Sequence, residues 1–525
     1  MHDRETGTNY LLSAATNRIS SPALSGNGRF VAYARAADAF STAHIYRRDL
    51  ENGADRLVDA STSLAAQLPG NGVSRNPRLS ADGRWVVYES FATDLGAFTK
   101  SGARADIILR DMAVTTNSPG GPPVYGSNYL VSVSRFGNAA GNGASINPVL
   151  SADAQWIVFQ SEAADLTTNS GTGGWQQLFA RNPFAARTKL VSYLGPASGG
   201  LPENSTGAVV SANSRYAAFH TMTTGTIYRH NLLGDGPNDI VCSECQNASI
   251  SFDGRLIAYQ SRTNGTNFSD VFVKDLQSGQ TELISVNAQG TGGGHGHSRS
   301  PLISSSGRFV VFASRAGDLA GNDTNGMTDI FVRDRIAGAT FLISVNAQGT
   351  ASGNLVSTKP VLAADGRTVV FQSFASDLVP GDYNDGRDLF TLSLAAADSD
   401  GDGLDDDWEL AYFNTLDRDG AGDFDGDGYT DAQEFLAGTA PTNNGSILRV
   451  LTVTFGDEGG AGYVARVYWS STLGKNYRVQ FKDAVTDPWT DLPGLITASG
   501  PTATALDTMS FNPALRRFYR VVVAP

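Results

Sequence analysis

Ser304-Ser305-Ser306-Gly307-Arg308-Phe309-Val310-Val311-Phe312 is one copy of a phrase that the chain writes seven times. The phrase is a Ser, a tight turn, an Arg four places on, and an aromatic four places after the Arg. The Arg place reads Arg29, Arg84, Gln155, Arg215, Arg255, Arg308 and Arg367. The aromatic place reads Tyr33, Tyr88, Phe159, Phe219, Tyr259, Phe312 and Phe371, without exception. The leading residue is Ser25, Ser80, Ser151, Ser211, Ser251 and Ser304, with Ala363 closing the series. A unit that recurs every 40 to 71 residues decides the fold before any single residue does.

The flanks of the phrase are strands. Pro301-Leu302-Ile303 enters the turn, and residues 309–314 leave it, rich in the β-branched and aromatic types that suit a buried pleated surface. Asp82-Gly83, Asp253-Gly254 and Asp365-Gly366 fill the turn elsewhere, and Asp-Gly between apolar runs signals a hairpin because Gly accepts positive φ. Asp329-Ile330-Phe331-Val332-Arg333-Asp334 predicts a third strand, and Thr340-Phe341-Leu342-Ile343-Ser344-Val345 a fourth. Four antiparallel strands repeated radially describe a β-propeller blade. The expected class is therefore all-β, with a seven-bladed propeller over residues 1–396. The aromatic place is predicted to be core between blades and the Arg place a structural turn residue. Blade seven lacks a fourth strand before the composition changes, whereas Thr8-Asn9-Tyr10-Leu11-Leu12-Ser13 has the pattern of Thr281-Glu282-Leu283-Ile284-Ser285. The N-terminal strand is thus expected to complete blade seven and leave no open edge. The competing reading is an array truncated at its N-terminus, with His2-Asp3-Arg4 as the tail of a lost strand.

Ser80-Ala81-Asp82-Gly83-Arg84 followed by Trp85-Val86-Val87-Tyr88, with Asp329 to Asp334, resembles the PD40 (TolB-like) propeller repeat of bacterial envelope and secreted proteins. The resemblance implies the fold. It does not choose a function, because such propellers serve both as binding platforms and as enzymes.

Strand order puts the longer connections on one face: those between second and third strands, and those from a fourth strand into the next blade. Long loops on a rigid scaffold are where function usually sits. Two of them alternate oxygen ligands, Asp323-Thr324-Asn325-Gly326 with Asp329, and Asp382-Tyr383-Asn384-Asp385-Gly386 with Asp388. They read either as Ca²⁺ loops or as ordinary polar turns. His295 and His297 stand in a Gly-rich loop with no carboxylate or Cys nearby in sequence, and are read as solvated. His220 and His230 flank blade four's second and third strands, with no role assigned.

From Asp398 the composition turns acidic. Residues 398–409 fit a twelve-residue EF-hand-type loop: Asp398, Asp400, Asp402 and Asp406 at places one, three, five and nine, Gly403 at six, the Leu404 carbonyl at seven and Glu409 at twelve. Asp423, Asp425, Asp427, Gly428, Tyr429, Asp431 and Glu434 repeat the pattern. The region resembles the EF-hand-like and thrombospondin type 3 calcium repeats of secreted bacterial proteins, which implies Ca²⁺ as the cofactor. A disordered acidic linker and a dockerin module are the alternatives. Residues 398–434 hold 14 acidic side chains and one Arg, so this segment carries the whole formal net charge of −13. The remainder is balanced, 38 against 38, and no basic stripe supports nucleic-acid binding.

Residues 445–525 again read as short strands and predict a β-sandwich. They resemble the Ig-like or fibronectin-like terminal modules of secreted bacterial proteins, with Trp469, Trp489 and Tyr519 expected in the core. The expected division is propeller 1–396, calcium hinge 397–444 and sandwich 445–525. No run of 18 apolar residues exists for a membrane span, and no signal peptide is visible in this chain. Cys242 and Cys245 are the only cysteines, a lone pair weak for zinc, open to a local disulfide or to two free thiols. The expectation is an exported, extracellular or periplasmic, monomeric calcium-binding protein whose propeller binds a polysaccharide or a surface protein without catalysis. The alternative is a polysaccharide-active lyase or glycosidase on the long-loop face.

Overall fold

The computed structural model describes residues 18–26, 29–38, 41–50, 52–61, 68–96, 98–100, 104–116, 124–137, 139–168, 175–192, 204–262, 268–363, 366–382, 386–394, 398, 400–413, 415–457, 463–472, 475–498, 502–508 and 517–524. Two compact units result, Met1–Ala395 and Ala396–Pro525.

The first unit is a seven-bladed propeller. In blade six Ser298–Ile303, Phe309–Ser314, Asp329–Asp334 and Ala339–Leu342 pair antiparallel in chain order, and the first strands of successive blades lie against one another. Blade two inserts a hairpin, Val114–Thr116 with Val124–Tyr125, before its outer strand Asn128–Leu130. Blade seven has three strands among the described residues, and the strand expected from Thr8 to Ser13 lies outside them.

The repeated phrase is explained residue by residue. Ser80 Oγ accepts the Trp85 N–H at 3.0 Å and donates to Asp82, closing the turn between the first two strands. Ser151 with Asp153 and Ser251 with Asp253 do the same. The Arg clamps the last Asp of the third strand with two nitrogens: Arg29 on Asp49, Arg84 on Asp111, Arg255 on Asp275 and Arg308 on Asp334. Such a fork gives geometric specificity beyond its charge. The seven aromatics are at most 5% exposed. Six of them stack on an aromatic of the third strand, as Phe312 on Phe331 at 5.9 Å. The apolar clusters form between blades, joining Ala258 and Val271 of blade five to Val310 and Phe312 of blade six.

The Gly of the turn is left-handed at Gly83, Gly254, Gly307 and Gly366, but blades three and four place Ala154 (φ 58°) and Ser214 (φ 59°) there. A side chain in that conformation costs about 1 kcal/mol. Ser214→Gly should therefore raise the urea midpoint, with a gain of about 0.5–1 kcal/mol. A fall in the midpoint would show that the hydroxyl matters more than the backbone.

A second column was not read from the sequence. Every first strand carries a β-bulge. Its residue has positive φ in each blade: Ser21, Asn76, Asn147, Gly207, Asn247, Ser300 and Lys359. Bulges re-aim side chains and often stand beside functional sites.

In the second unit, α1 (Asp406–Tyr412) and α2 (Asp431–Ala437) follow the acidic loops. Beyond them, sheets of Val450–Asp457, Tyr463–Ser470 and Thr502–Asp507, and of Asn476–Lys482 with Thr490–Asp491, Ile496–Thr497 and Phe518–Ala524, share one core. Trp469 is fully buried in that core, and Tyr519 packs beside it, donating to Asp507 at 2.8 Å. Trp489 departs from expectation: it is half-buried, with Lys482 and Arg520 over its ring. Two cations on one indole keep it at the edge of the sheet.

Candidate functional site

Two places gather chemistry, one in each unit. In the acidic loops, Asp398 accepts the Gly401 and Gly403 amides at 2.8 and 3.1 Å. Asp423 accepts those of Gly426 and Gly428 at 2.8 and 2.9 Å. Asp402 takes the Leu404 amide and Asp427 the Tyr429 amide, each on one oxygen. The loops thus wrap around their own carboxylates in the same way, and α1 and α2 start on the caps Asp405 and Thr430. One carboxylate oxygen each of Asp398, Asp400 and Asp402 lies within 4.8 Å of the other two, and the same holds for Asp423, Asp425 and Asp427.

Other carboxylate oxygens of the same loops take no part in these bonds. Oδ2 of Asp402, Asp425 and Asp427, both carboxylate oxygens of Glu409 and Oε2 of Glu434 are buried and accept no hydrogen bond. Glu409 is 0% and Glu434 1% exposed. Burial, then the neighbouring Asp carboxylates, push each up to about 7. Buried acceptor-only groups without a donor are costly unless a cation completes them. The residues therefore fit a hard cation with oxygen ligands. Asp406 and Asp431 are buried as well, but Asp431 is engaged by the Arg418 guanidinium and by the Phe424 amide. Trp408 of α1 packs on Phe435 of α2 at 5.2 Å, coupling the two loops. Thr472 donates to the Gly438 carbonyl at 3.1 Å, which ties the second repeat to the sheets that follow.

On the long-loop face of the propeller, blades four, five and six enclose a cavity of about 710 Å³. His220, Gln260, Arg262, His297 and Arg299 line it, with the bulge residues Asn247 and Ser300. His297 Nδ1 accepts the Ser269 amide at 3.0 Å and the ring stands edge-on to Phe268, so its orientation is fixed and Nε2 is the nitrogen left for a proton. His220 Nδ1 is buried without a partner, and burial lowers its pKa. Blade four's bulge residue is Gly207, where a Cβ would come within 2.7 Å of that nitrogen. A Cys242–Cys245 disulfide closes the turn beside the cavity, which settles the two sequence alternatives.

The other histidines part company with these two. His295 is 83% exposed, as the reading of a solvated residue expects, and it pairs with Asp318 at 2.6 Å, a carboxylate distant in sequence that comes from the next blade's connection. His230 is buried against Asn238, away from the cavity lining. That His220 and His297 line one cavity was invisible in the sequence, where they stand 77 positions apart. The one available signal was that blade four alone has a Gly, Gly207, as its bulge residue.

Residues 398–415 and 423–444 match the family model of the bacterial TSP3 repeat. No curated protein matches the chain. Among solved structures, the chain is similar to an oligogalacturonate lyase in complex with manganese (11% identity, 72% of this chain and 90% of that one, TM-score 0.40). It is similar to the β-propeller domain of the trilobed protease from Pyrococcus furiosus (13% identity, 72% and 95%, TM-score 0.39). It is similar also to TolB from Acinetobacter baumannii (17% identity, 62% and 63%, TM-score 0.30). Among the described residues no helix is long and apolar enough to cross a membrane.

Proposed function

We propose that this chain is an exported, calcium-ordered binding protein whose propeller takes a hydroxyl-rich, acidic polysaccharide on its long-loop face. The cavity of about 710 Å³ carries this reading. Its lining of imidazole, guanidinium and amide groups offers many donors on a predominantly polar surface, as a polyhydroxylated anion requires. Ca²⁺ would be held in one loop by Asp398, Asp400, Asp402, Glu409 and the Leu404 carbonyl. In the other it would be held by Asp423, Asp425, Asp427, Glu434 and the Tyr429 carbonyl. Asp431, committed to Arg418, braces its loop instead. The ion's role is to neutralise converging carboxylates and so order the repeats.

A second reading places catalysis in the same cavity, and one observation favours it: two imidazoles, one of fixed orientation, share the space with two guanidiniums. An array of acidic and neutral polysaccharides, followed by absorbance and reducing-end assays on every hit, separates the two. Binding without turnover is expected, and Arg299→Ala should weaken it by on the order of tenfold or more, as the loss of a charge-assisted contact implies. Binding that survives Arg299→Ala and His297→Ala would move the site elsewhere. Turnover abolished by His297→Ala would establish the enzyme.

A further inference from the structure

Blades two and six can be superposed through their backbone hydrogen bonds, without reference to loop length. In blade two the Ala140 amide donates to the Thr99 carbonyl, and the Gly141 amide to the Ser132 carbonyl, each at 2.9 Å. In blade six the Ser352 amide donates to Asn322 and the Gly353 amide to Ser344, again each at 2.9 Å. The third strand follows suit. Asp106 pairs with Ser90 and accepts from Ser132 Oγ at 2.9 Å; Asp329 pairs with Ser314 and accepts from Ser344 Oγ at 2.7 Å. The residue after Thr99 is Lys100 and the residue after Asn322 is Asp323, each six places before its Asp.

The chemistry at this shared place is opposite. Lys100 Nζ, fully buried, sits 3.2 Å from Asp106 Oδ2 and donates to the Ser90 carbonyl at 2.8 Å. Blade two thus supplies its own cation. Blade six puts a second carboxylate where that ammonium would be. Asp329 is 0% exposed, and its Oδ2, the counterpart of the oxygen that Lys100 neutralises, accepts no hydrogen bond. Both oxygens of Asp323 are likewise buried and accept none. Two buried carboxylates are thus brought close enough to act on one another with the lysine removed, and such a pair calls for a cation or a proton to neutralise it.

We propose that blade six binds a divalent cation, Ca²⁺, between Asp323 and Asp329, with the Ser314 carbonyl as a further ligand, in the place that Lys100 fills in blade two. The donor set is all oxygen and carries two charges, which suits a hard ion. Blade seven repeats the spacing in Asp382 and Asp388, and Asp388 Oδ2 is also buried without a partner.

The test uses the full chain with the TSP3 loops silenced by Asp402→Asn, Glu409→Gln, Asp427→Asn and Glu434→Gln, titrated with CaCl₂ in a calorimeter. Saturable binding should persist, and Asp323→Lys should remove one equivalent while raising the propeller's melting temperature in chelator, because it restores the blade-two ion pair. Asp329→Asn, which deletes a buried charge at nearly constant side-chain size, should also remove that equivalent. If the silenced chain binds no Ca²⁺, or if both variants keep every equivalent, the two carboxylates share a proton instead and the assignment falls.

Discussion

Chelating calcium from the full chain should unfold the second unit's acidic segment while leaving the propeller's secondary structure in place. The converging carboxylates of 398–434 carry 14 negative charges against one Arg, and without cations they repel. At a calcium concentration about 1,000-fold above Kd, each site contributes about 4 kcal/mol through mass action, so losing two is a large effect for one small unit. Limited proteolysis should cut between α1 and α2 in chelator and spare them in calcium. The fluorescence of Trp408, packed on Tyr412, Phe413 and Phe435, should shift with the same midpoint. The pH dependence carries a sign that distinguishes metal from mere burial. In the metal-free chain Glu409 and Glu434 are raised above their ordinary value of 4.5 to about 7. Their protonated forms favour the folded state, so stability is present below about pH 4.5 and is lost as pH rises through about 7. With calcium the carboxylates must be ionised to ligate, and stability rises with pH over the same window. Melting curves at pH 5 and pH 8 should therefore reverse their order on adding calcium; parallel shifts would count against ligation by these two residues.

Glu89→Ala should destabilise the propeller by about 3 kcal/mol, far more than a surface substitution. Glu89 is 0% exposed and follows the aromatic place of blade two. It accepts from Arg75 Nε at 2.7 Å, from Asn76 Nδ2 at 2.8 Å and from the Asn147 amide of the next blade at 2.7 Å. Asn76 and Asn147 are bulge residues, so one carboxylate holds the side chain of one left-handed bulge and the backbone amide of the next. Gln260 does the same for the Ser300 amide at 3.1 Å, with an amide oxygen in place of a charge. Glu89→Gln should consequently retain most of the stability that Glu89→Ala loses, as read from denaturant midpoints. Equal losses for the two variants would mean that shape, not the acceptor, holds blades two and three together.

The parts legible in the sequence are those whose causes are local. A Ser that caps a turn, an Asp that receives it, an Arg that clamps the next strand and an aromatic that fills a blade interface all recur at fixed offsets. The two calcium-type loops are legible for the same reason, since all their ligands fall within twelve residues. The bulges were missed because their residue types differ, from Ser21 to Lys359, although Pro22, Pro77, Pro148, Pro301 and Pro360 follow five of them and could have marked the place. The cavity was missed because it is assembled from three blades, and Trp489 was misread because an aromatic in a strand pattern says nothing about the Lys482 and Arg520 that meet it. The correspondence of Lys100 with Asp323 emerges only when backbone hydrogen bonds align loops of different composition.

Calorimetric titration of calcium into the chelated full chain, beside its Glu409→Gln/Glu434→Gln variant, tests calcium ordering most directly. The two glutamates are the buried twelfth-place residues of the two loops, and each keeps at least one carboxylate oxygen that accepts no hydrogen bond, so the variant should lose two equivalents that the parent binds. A parent that takes up no calcium at millimolar concentration, or a variant that binds as many equivalents as the parent with unchanged affinity, would contradict it.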